Sequence, residues 1–138
     1  MARDQLTVEI VTPTSAEETR QVSYLRAPGV DGLFGVLPGH IPAMIALDIG
    51  EIGIEQQSGQ QYWATSGGYA EIHRDRVVLL VETAELATKI DVERAKSSAQ
   101  RARRRLKDAD RNPDIDPDRA RHSLQRALNR LSIVEERG

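Results

Sequence analysis

The sequence has 138 residues, with 19 Lys and Arg against 21 Asp and Glu and a formal net charge of −2. A chain of this length can bury a core without crosslinks, and the absence of Cys excludes disulfides, thiolate zinc sites and cysteine nucleophiles. No apolar run approaches the ~20 residues of a membrane-spanning helix, and no apolar signal segment begins the sequence. This composition predicts a soluble, intracellular type of globular protein.

Charge and glycine are distributed unevenly along the chain. Up to residue 86 there are 5 basic and 12 acidic residues, whereas from residue 87 onward there are 14 basic and 9 acidic residues. All five aromatic residues and nine of the ten glycines lie at or before Tyr69. Because such a shift marks a domain boundary, we predict one domain over residues 1–86 and a second over residues 87–138.

The first predicted domain has the pattern of a β protein. Leu6, Val8 and Ile10 alternate with polar residues, as in a half-buried strand. Further short apolar stretches, punctuated by Gly, Pro or polar turns, cover residues 22–26, 41–47, 50–56, 60–65 and 69–73. The uninterrupted apolar run at residues 77–81, within a strand expected over 76–81, is typical of a strand buried on both faces. Many short strands at close spacing predict a sandwich or a barrel.

The second predicted domain has the pattern of two helices. Apolar residues recur at spacings of three and four in two stretches, namely Val92, Ala95, Ala99, Ala102, Leu106 and Ala109, then Ala120, Leu124, Ala127, Leu131 and Val134. Asp91 is a natural N-cap for the first helix, and Asp116-Pro117 supplies a cap and a first-turn proline for the second. The short link over residues 110–114 predicts an antiparallel hairpin. Because its seam is mostly alanine, little apolar area is buried and the hairpin is expected to be marginally stable.

No catalytic or metal-binding constellation is visible. The three histidines, His40, His73 and His122, lack the spacing of metal ligands. The glycines form neither a phosphate-binding loop nor a dinucleotide-binding motif, and Ser66 lacks the frame of a nucleophile turn. The sequence therefore predicts a protein that is not an enzyme.

Two groups of arginines on the predicted helices suggest binding instead. Arg101, Arg103, Arg104, Arg105 and Lys107 form a basic run. It could contact nucleic-acid phosphates, although acidic residues follow closely and no aromatic residue is interleaved. A solvated helix face and a docking surface for an acidic protein are the other readings of this run.

The second group of arginines could surround an anion. Arg126 and Arg130 are four residues apart and share one helix face, and the antiparallel helices could bring Arg94 to them. The alternative is a solvated face in which these arginines pair with neighbouring carboxylates.

Three segments of the chain resemble a known family. Residues 35–42, GVLPGHIP, are similar to the G-I-L-P-G-H-x-P signature of the epsilon subunit of F-type ATP synthases. Residues 66–71, SGGYAE, resemble that family's S-G-G-F/Y-x-E turn. Residues 90–95, IDVERA, resemble the I/L-D-x-x-R-A motif that bacterial members use for ATP. The three motifs occur in the family's order across essentially the whole chain.

The resemblance implies a fold and a set of partners. The family's fold is an N-terminal β-sandwich of about ten strands followed by an antiparallel two-helix hairpin. The resemblance implies that the sandwich docks on the gamma subunit and the c-ring, so that the chain turns with the central stalk and couples proton translocation to ATP synthesis. Leu37, His40 and Ile41 are then candidates for the rotor contact. The complex would hold the chain at the periphery of the membrane, on the cytoplasmic face in a bacterium or the equivalent thylakoid face.

The resemblance also implies regulation by the hairpin. In the family an extended hairpin inserts into the catalytic head of alpha and beta subunits and blocks ATP hydrolysis, which would bring Arg101, Arg103, Arg104 and Arg105 to an acidic segment of the beta subunits. ATP, as a regulatory ligand, would hold the hairpin folded. The positions that match the family's ATP site are Glu85, Ile90, Asp91, Arg94, Ala95, Arg126 and Arg130. The sequence specifies no role for Mg²⁺, and a stalk subunit that inhibits without sensing ATP is the alternative.

Overall fold

The structure, a computed structural model, describes residues 5–137. These residues divide into two compact units, one ending at Leu86 and the other beginning at Ala87.

The first unit is built from β-strands. In the described residues these are β1 Leu6–Thr12, β2 Ser15–Gly29, β3 Gly32–Val36, β4 Ala43–Leu47, β5 Gly50–Gln56, β6 Gly59–Thr65, β7 Gly68–Ile72, β8 Arg76–Val81 and β9 Ala84–Leu86. Their order in the sheet is β1-β8-β7-β4-β2-β5-β6-β9, with β3 paired to β2. The β1–β8 pair is parallel, and the other pairs are antiparallel.

The long strand β2 folds the sheet over on itself. Its first half pairs with β1, and its second half pairs with β3 and β5. The pairing register shifts around Gln21, whose positive φ of 58° marks an irregularity between the two halves. Because β1 pairs with both β2 and β8, the sheet closes into a sandwich-like shape. The core between its layers is filled by alternate residues of the strands, such as Leu6, Val8, Ile52 and Ile54.

The sandwich-and-hairpin fold class is confirmed, with differences in detail. The structure has nine strands over residues 5–137, where the family resemblance implied about ten. The apolar pattern did not predict β3 and β9 as separate strands, since both are short and β3 contains two glycines. The expectation that residues 76–81 are buried on both faces is wrong: Val77, Leu79 and Val81 are buried, whereas Leu80 is 42% exposed.

The second unit is a helical hairpin. A short 3-10 turn at Ala87–Lys89 precedes α1, Val92–Asp108, and α2 spans Pro117–Arg137. Both predicted caps are confirmed. Asp91 Oδ1 accepts a hydrogen bond from the Arg94 backbone N–H at 3.1 Å, and Asp116 Oδ1 accepts one from the Asp118 N–H at 3.0 Å. These bonds satisfy donors that the first turn of a helix leaves free.

The buried seam of the hairpin is as poor in large side chains as the sequence predicts. The fully buried residues of α1 are Ala95, Ala99 and Ala102, and those of α2 are Ala120, Ala127 and Ile133. Ile133 was not among the predicted seam positions. Leu124, Leu131 and Val134, which were, are only half-buried. Small side chains allow the two helix backbones to approach closely, but each buries little apolar surface.

Candidate functional site

The first motif forms a tight turn before β4. The His40 N–H donates to the Leu37 carbonyl at 3.2 Å, and Gly39 has a φ of 85°. With Pro38 and Gly39 at its centre, this arrangement has the features of a type II turn, in which the third residue needs a positive φ. Gly39 N also donates to the Arg74 carbonyl at 2.7 Å, so the turn lies against the β7–β8 connection. The turn leaves Leu37 and Ile41 60% and 75% exposed.

The second motif is a close contact between strands. Gly67 and Gly68 have φ values of 107° and 151°. A Cβ on Gly68 would collide with the Leu80 carbonyl oxygen and lie 2.8 Å from Val81 Cα. Ser66, the first residue of the motif, is held by a hydrogen bond in which the Thr83 N–H donates to Ser66 Oγ at 3.1 Å. Glycine at position 68 therefore allows β7 to start in contact with β8.

One outer face of the β unit carries several exposed apolar residues. Ala46, Tyr69 and Leu80 lie side by side on β4, β7 and β8, because Ala46 pairs with Tyr69 and Tyr69 pairs with Leu80. Met44 lies two residues from Ala46 and so on the same face; it is 66% exposed, and Tyr69 is 54% exposed. We call Met44, Ala46, Tyr69 and Leu80 the apolar sheet face. An exposed apolar face of this kind marks an interaction surface.

Two further exposed apolar residues lie in the β2–β3 turn and at the start of β3. Val30, in the β2–β3 turn, donates its N–H to the Ala46 carbonyl at 2.9 Å. Leu33 follows in β3, and both side chains are exposed. Within the β unit, the sequence predicted an interaction surface only at Leu37, His40 and Ile41. The signal that it missed is the continuous apolar run at residues 77–81, whose second face is exposed rather than buried.

The third motif forms the start of α1. Ile90 and Ala95 are buried, whereas Asp91 and Arg94 are exposed. The Ala95 N–H donates to the Asp91 carbonyl at 3.0 Å, and the Asp91 side chain caps the helix. The motif thus has a local structural role: it fixes the first turn of α1 and leaves the Arg94 side chain exposed.

The loop end of the hairpin contains a cleft of about 360 Å³. Its lining includes residues from both helices and from the link between them. The charged residues of this lining are Arg101, Arg105, Asp114, Asp116, Arg119 and Arg126. We call this space the arginine cleft. Arg94 and Arg130, the other arginines predicted to face an anion, do not line it.

The remaining predicted residues have simple surroundings. Arg103 and Arg104 are exposed on α1. Glu85 lies on β9, paired in register with Ala64 of β6, and is half-buried. His40 Nδ1 lies 2.6 Å from the Ile41 carbonyl oxygen, so its ring is held locally. Across residues 5–137 there is no group of three His, Asp or Glu side chains that could hold a metal ion.

Comparison with known proteins identifies the family. Residues 5–87 match the model for the ATP synthase delta/epsilon chain beta-sandwich domain. Residues 88–135 match the model for the long alpha-helix domain of the same chains. The chain belongs to the ATP synthase delta/epsilon chain family. The resemblance drawn from the three motifs is therefore confirmed, and with it the prediction of a non-catalytic subunit.

Bacterial relatives are similar to this chain in sequence. It is 45% identical over 101 residues to the ATP synthase epsilon chain of Lawsonia intracellularis, covering 73% of this chain and 76% of that one. It is 45% identical over 104 residues to the epsilon chain of Geotalea uraniireducens, covering 75% of each.

Solved structures share the fold of this family member. A chain of the Euglena gracilis mitochondrial ATP synthase, described as OSCP/F1/c-ring in rotational state 1, matches with a TM-score of 0.78 and 18% identity, over 91% of this chain and 79% of that one. A chain of the Tetrahymena thermophila mitochondrial ATP synthase central stalk and c-ring matches with a TM-score of 0.57 and 11% identity, over 97% and 96%. No helix in residues 5–137 is long and apolar enough to cross a membrane.

Proposed function

We propose that this chain is a rotor subunit of an F-type ATP synthase, in which the β unit docks on the central stalk and transmits rotation. The observation that carries this proposal is the apolar sheet face. Outward-facing strand residues of an antiparallel sandwich are ordinarily polar, whereas Met44, Tyr69 and Leu80 are exposed and apolar. Their burial against a partner would contribute about 25 cal/mol per Å² of apolar surface.

The gamma subunit and the c-ring are the proposed partners of this surface. The apolar sheet face supplies a broad contact area, and the exposed turn carrying Leu37, His40 and Ile41 extends it beyond the start of β4. The β unit has a net charge of −7 over residues 1–86. Docking through the apolar sheet face would depend on the burial of apolar surface and not on this charge. The chain is then peripheral to the membrane and is held there by the complex.

A reconstitution experiment tests the rotor proposal. ATP synthase depleted of its epsilon subunit is mixed with this chain or with a Leu37→Ser/Ile41→Ser variant, and the amount bound to the stalk is measured. Because each of these exposed side chains would lose apolar burial, we expect about tenfold weaker binding of the variant. Equal binding by the variant would remove these two residues from the contact.

The hairpin is proposed to be the regulatory element. Its seam consists mainly of Ala95, Ala99, Ala102, Ala120 and Ala127. Helices joined by so little apolar surface can separate at low free-energy cost. In the separated state the basic run of α1, Arg101, Arg103, Arg104 and Arg105, is proposed to meet an acidic segment of the beta subunits and so to inhibit ATP hydrolysis.

ATP is proposed to favour the folded hairpin. Arg126 and Arg130 are half-buried on α2, and their spacing of four residues puts both on one helix face. Guanidinium groups bind phosphate oxygens in pairs, and the motif residue Ala95 near the start of α1 is small. Arg94, Asp91 and Ile90 complete the proposed site on the hairpin. A ligand that binds only the folded state stabilises it by about 2.7 kcal/mol at a hundredfold excess over Kd.

Calorimetric titration with ATP, with and without Mg²⁺, tests this part of the proposal. We expect measurable binding by the full chain, and at least tenfold weaker binding by Arg126→Ala and by Arg130→Ala. Arg121→Ala is a matched control, because Arg121 forms an exposed ion pair with Asp118 on the same helix. Unchanged binding in both test variants would remove the two arginines from the site. If the full chain binds no ATP at millimolar concentration, the chain inhibits without sensing ATP.

A further inference from the structure

We propose that the open edge of β3 pairs with the same edge of a second copy of this chain, so that two free subunits join their sheets. Within residues 5–137, β3 is paired with β2 alone, so its opposite edge carries no strand of the sheet. An open strand edge offers backbone donors and acceptors to another strand. This inference does not rest on the proposed function, because it concerns the chain before it enters a complex.

The pairing register shows which backbone groups of β3 point to the open edge. Pro28 of β2 lies opposite Leu33, and proline has no N–H to donate. The Pro28 carbonyl accepts from the Asp48 N–H at 2.9 Å, on the other side of β2. Because opposite residues of an antiparallel pair alternate between bonded and non-bonded pairs, Pro28–Leu33 and Arg26–Gly35 are both non-bonded pairs. The N–H and C=O groups of Leu33 and Gly35 therefore point away from β2.

This edge lacks the features that protect the other open edges among the described strands. The first half of β2 pairs only with β1 and carries the exposed charged residues Glu17, Glu18 and Arg20. The strand β9 has three residues and carries Glu85. Short length and charge both discourage pairing with another chain. In contrast, β3 has five residues and no charge, and its Leu33 is 70% exposed.

The exposed apolar residues around β3 suit pairing with an identical strand. In an antiparallel pair centred on Phe34, Leu33 of each copy lies opposite Gly35 of the other, and these are the residues whose backbone groups point to the open edge. Val30 precedes β3 and Leu37 follows it, and both are exposed. Because they lie at opposite ends of β3, the antiparallel arrangement brings Val30 of each copy close to Leu37 of the other. The edge is therefore self-complementary, as a two-fold dimer requires.

Sedimentation velocity of the full chain, from micromolar to millimolar concentration, tests the dimer. We expect a monomer–dimer equilibrium that Leu33→Lys weakens at least tenfold, because a lysine on an edge strand opposes pairing and the apolar contact is lost. Leu128→Lys is the matched control, since Leu128 is an exposed leucine on α2, and it is expected to dimerise as the unaltered chain does. A chain that stays monomeric at millimolar concentration would overturn the proposal, as would equal weakening by both variants. Circular dichroism establishes that each variant keeps its fold.

Residue-resolved amide hydrogen exchange locates the contact. The N–H groups of Leu33 and Gly35 are expected to exchange fast in dilute solution and at least tenfold more slowly in concentrated solution, because only the second copy bonds them. The N–H of Phe34, which the register pairs with Ala27 of β2, is the internal control and should be protected at both concentrations. A dimer that leaves the Leu33 and Gly35 exchange rates unchanged would overturn the proposal. Protection that arises only on assembly into ATP synthase would assign the edge to a strand of another subunit and would also overturn it.

Discussion

Tyr69 on β7 and Leu80 on β8 are directly paired across the sheet, and both side chains are exposed. Their neighbours along each strand, Ala70 and Leu79, are also paired and are fully buried. Strands β7 and β8 therefore carry apolar residues on both faces at this position, although only one face belongs to the core. A second apolar face that the core does not explain is the strongest structural indication that a partner covers it.

Replacing both exposed residues tests this relationship. The Tyr69→Thr/Leu80→Thr variant introduces Thr, a β-branched residue with a high strand propensity, at two exposed positions, so we expect its free energy of unfolding to change by less than about 1 kcal/mol. Binding to epsilon-depleted ATP synthase is expected to weaken by at least tenfold, since two apolar contacts are lost. Leu128→Ala is the control, because Leu128 is exposed to a similar extent but lies on α2. Normal binding by the Thr variant would place the rotor contact elsewhere.

Gly68 is expected to be the most sensitive glycine of the β unit. In Gly68→Ala the new Cβ would meet the backbone of Leu80 and Val81, which cannot move without disturbing β8. We expect destabilisation by at least about 3 kcal/mol, measured by chemical denaturation. Gly59→Ala is the matched comparison: Gly59 has a similar φ of 146°, but a Cβ there has no neighbour within 4 Å. The comparison variant is expected to lose only about 1–2 kcal/mol from backbone strain. Equal losses in the two variants would mean that strain, rather than the close contact, sets the requirement.

Glu18 is expected to contribute to the acid dependence of stability. Its hydrogen bond from Arg20 Nε, at 2.7 Å, lowers the pKa of its carboxyl below the ordinary value of 4.5, with Arg76 contributing further. A carboxyl with a lowered pKa in the folded state stabilises the fold above its unfolded pKa, and this contribution is lost as the pH falls through the folded pKa. We therefore expect Glu18→Gln to remove part of the stability loss seen below about pH 4.5, measured by denaturation from pH 7 to pH 3. Glu17→Gln, the same substitution at the neighbouring exposed position, is the control for the loss of one carboxylate.

The sequence predicted the hairpin more accurately than the sheet, for a physical reason. Helix formation is local, so Asp91 and Asp116 could be identified as caps from the residues that follow them, and the structure places both as caps. Strand pairing is not local. Nothing near β1 in the sequence indicates that it pairs in parallel with β8, about seventy residues later.

The functional surfaces were only partly predictable for the same reason. The run at residues 77–81 was predicted to be buried on both faces, because the sequence alone cannot distinguish a face covered by the same chain from one left for a partner. The arginine cleft was also missed. The sequence did not predict that Arg101 and Arg119 line one cavity, because only the packing of the two helices brings them there. The predicted trio of Arg94, Arg126 and Arg130 remains a prediction.

Two substitutions at Asp91 separate its capping role from any direct contact with ATP. Asp91→Ala removes the acceptor for the Arg94 N–H and is expected to destabilise the hairpin by about 1 kcal/mol. Asp91→Asn keeps an acceptor and should retain that stability, because Asn caps as well as Asp. If Asp91 affects ATP affinity only by capping α1, calorimetry will show near-normal ATP affinity for the Asn variant and weaker affinity for the Ala variant. Equal weakening in both would assign the carboxylate a direct role.

The alanine seam of the hairpin is sensitive to an increase in side-chain volume. Ala99 is 1% exposed, so Ala99→Leu adds three carbon atoms at a buried position of α1. We expect a loss of about 1–3 kcal/mol, confined to the hairpin. Hydrogen exchange should show faster exchange in α1 and α2 and unchanged protection in the strands. Gln100→Leu, at an exposed neighbouring position, is the control for the added apolar side chain.

The same variant connects hairpin stability to regulation. Because the separated hairpin is the proposed inhibitory state, Ala99→Leu should inhibit ATP hydrolysis in the reconstituted complex more strongly than the unaltered chain does. A loss of 1.4 kcal/mol of hairpin stability corresponds to about a tenfold shift in the population of the separated state, so more ATP should be needed to relieve inhibition. Increased exchange in the helices without increased inhibition would show that separation of α1 from α2 is not the step that inhibits the enzyme.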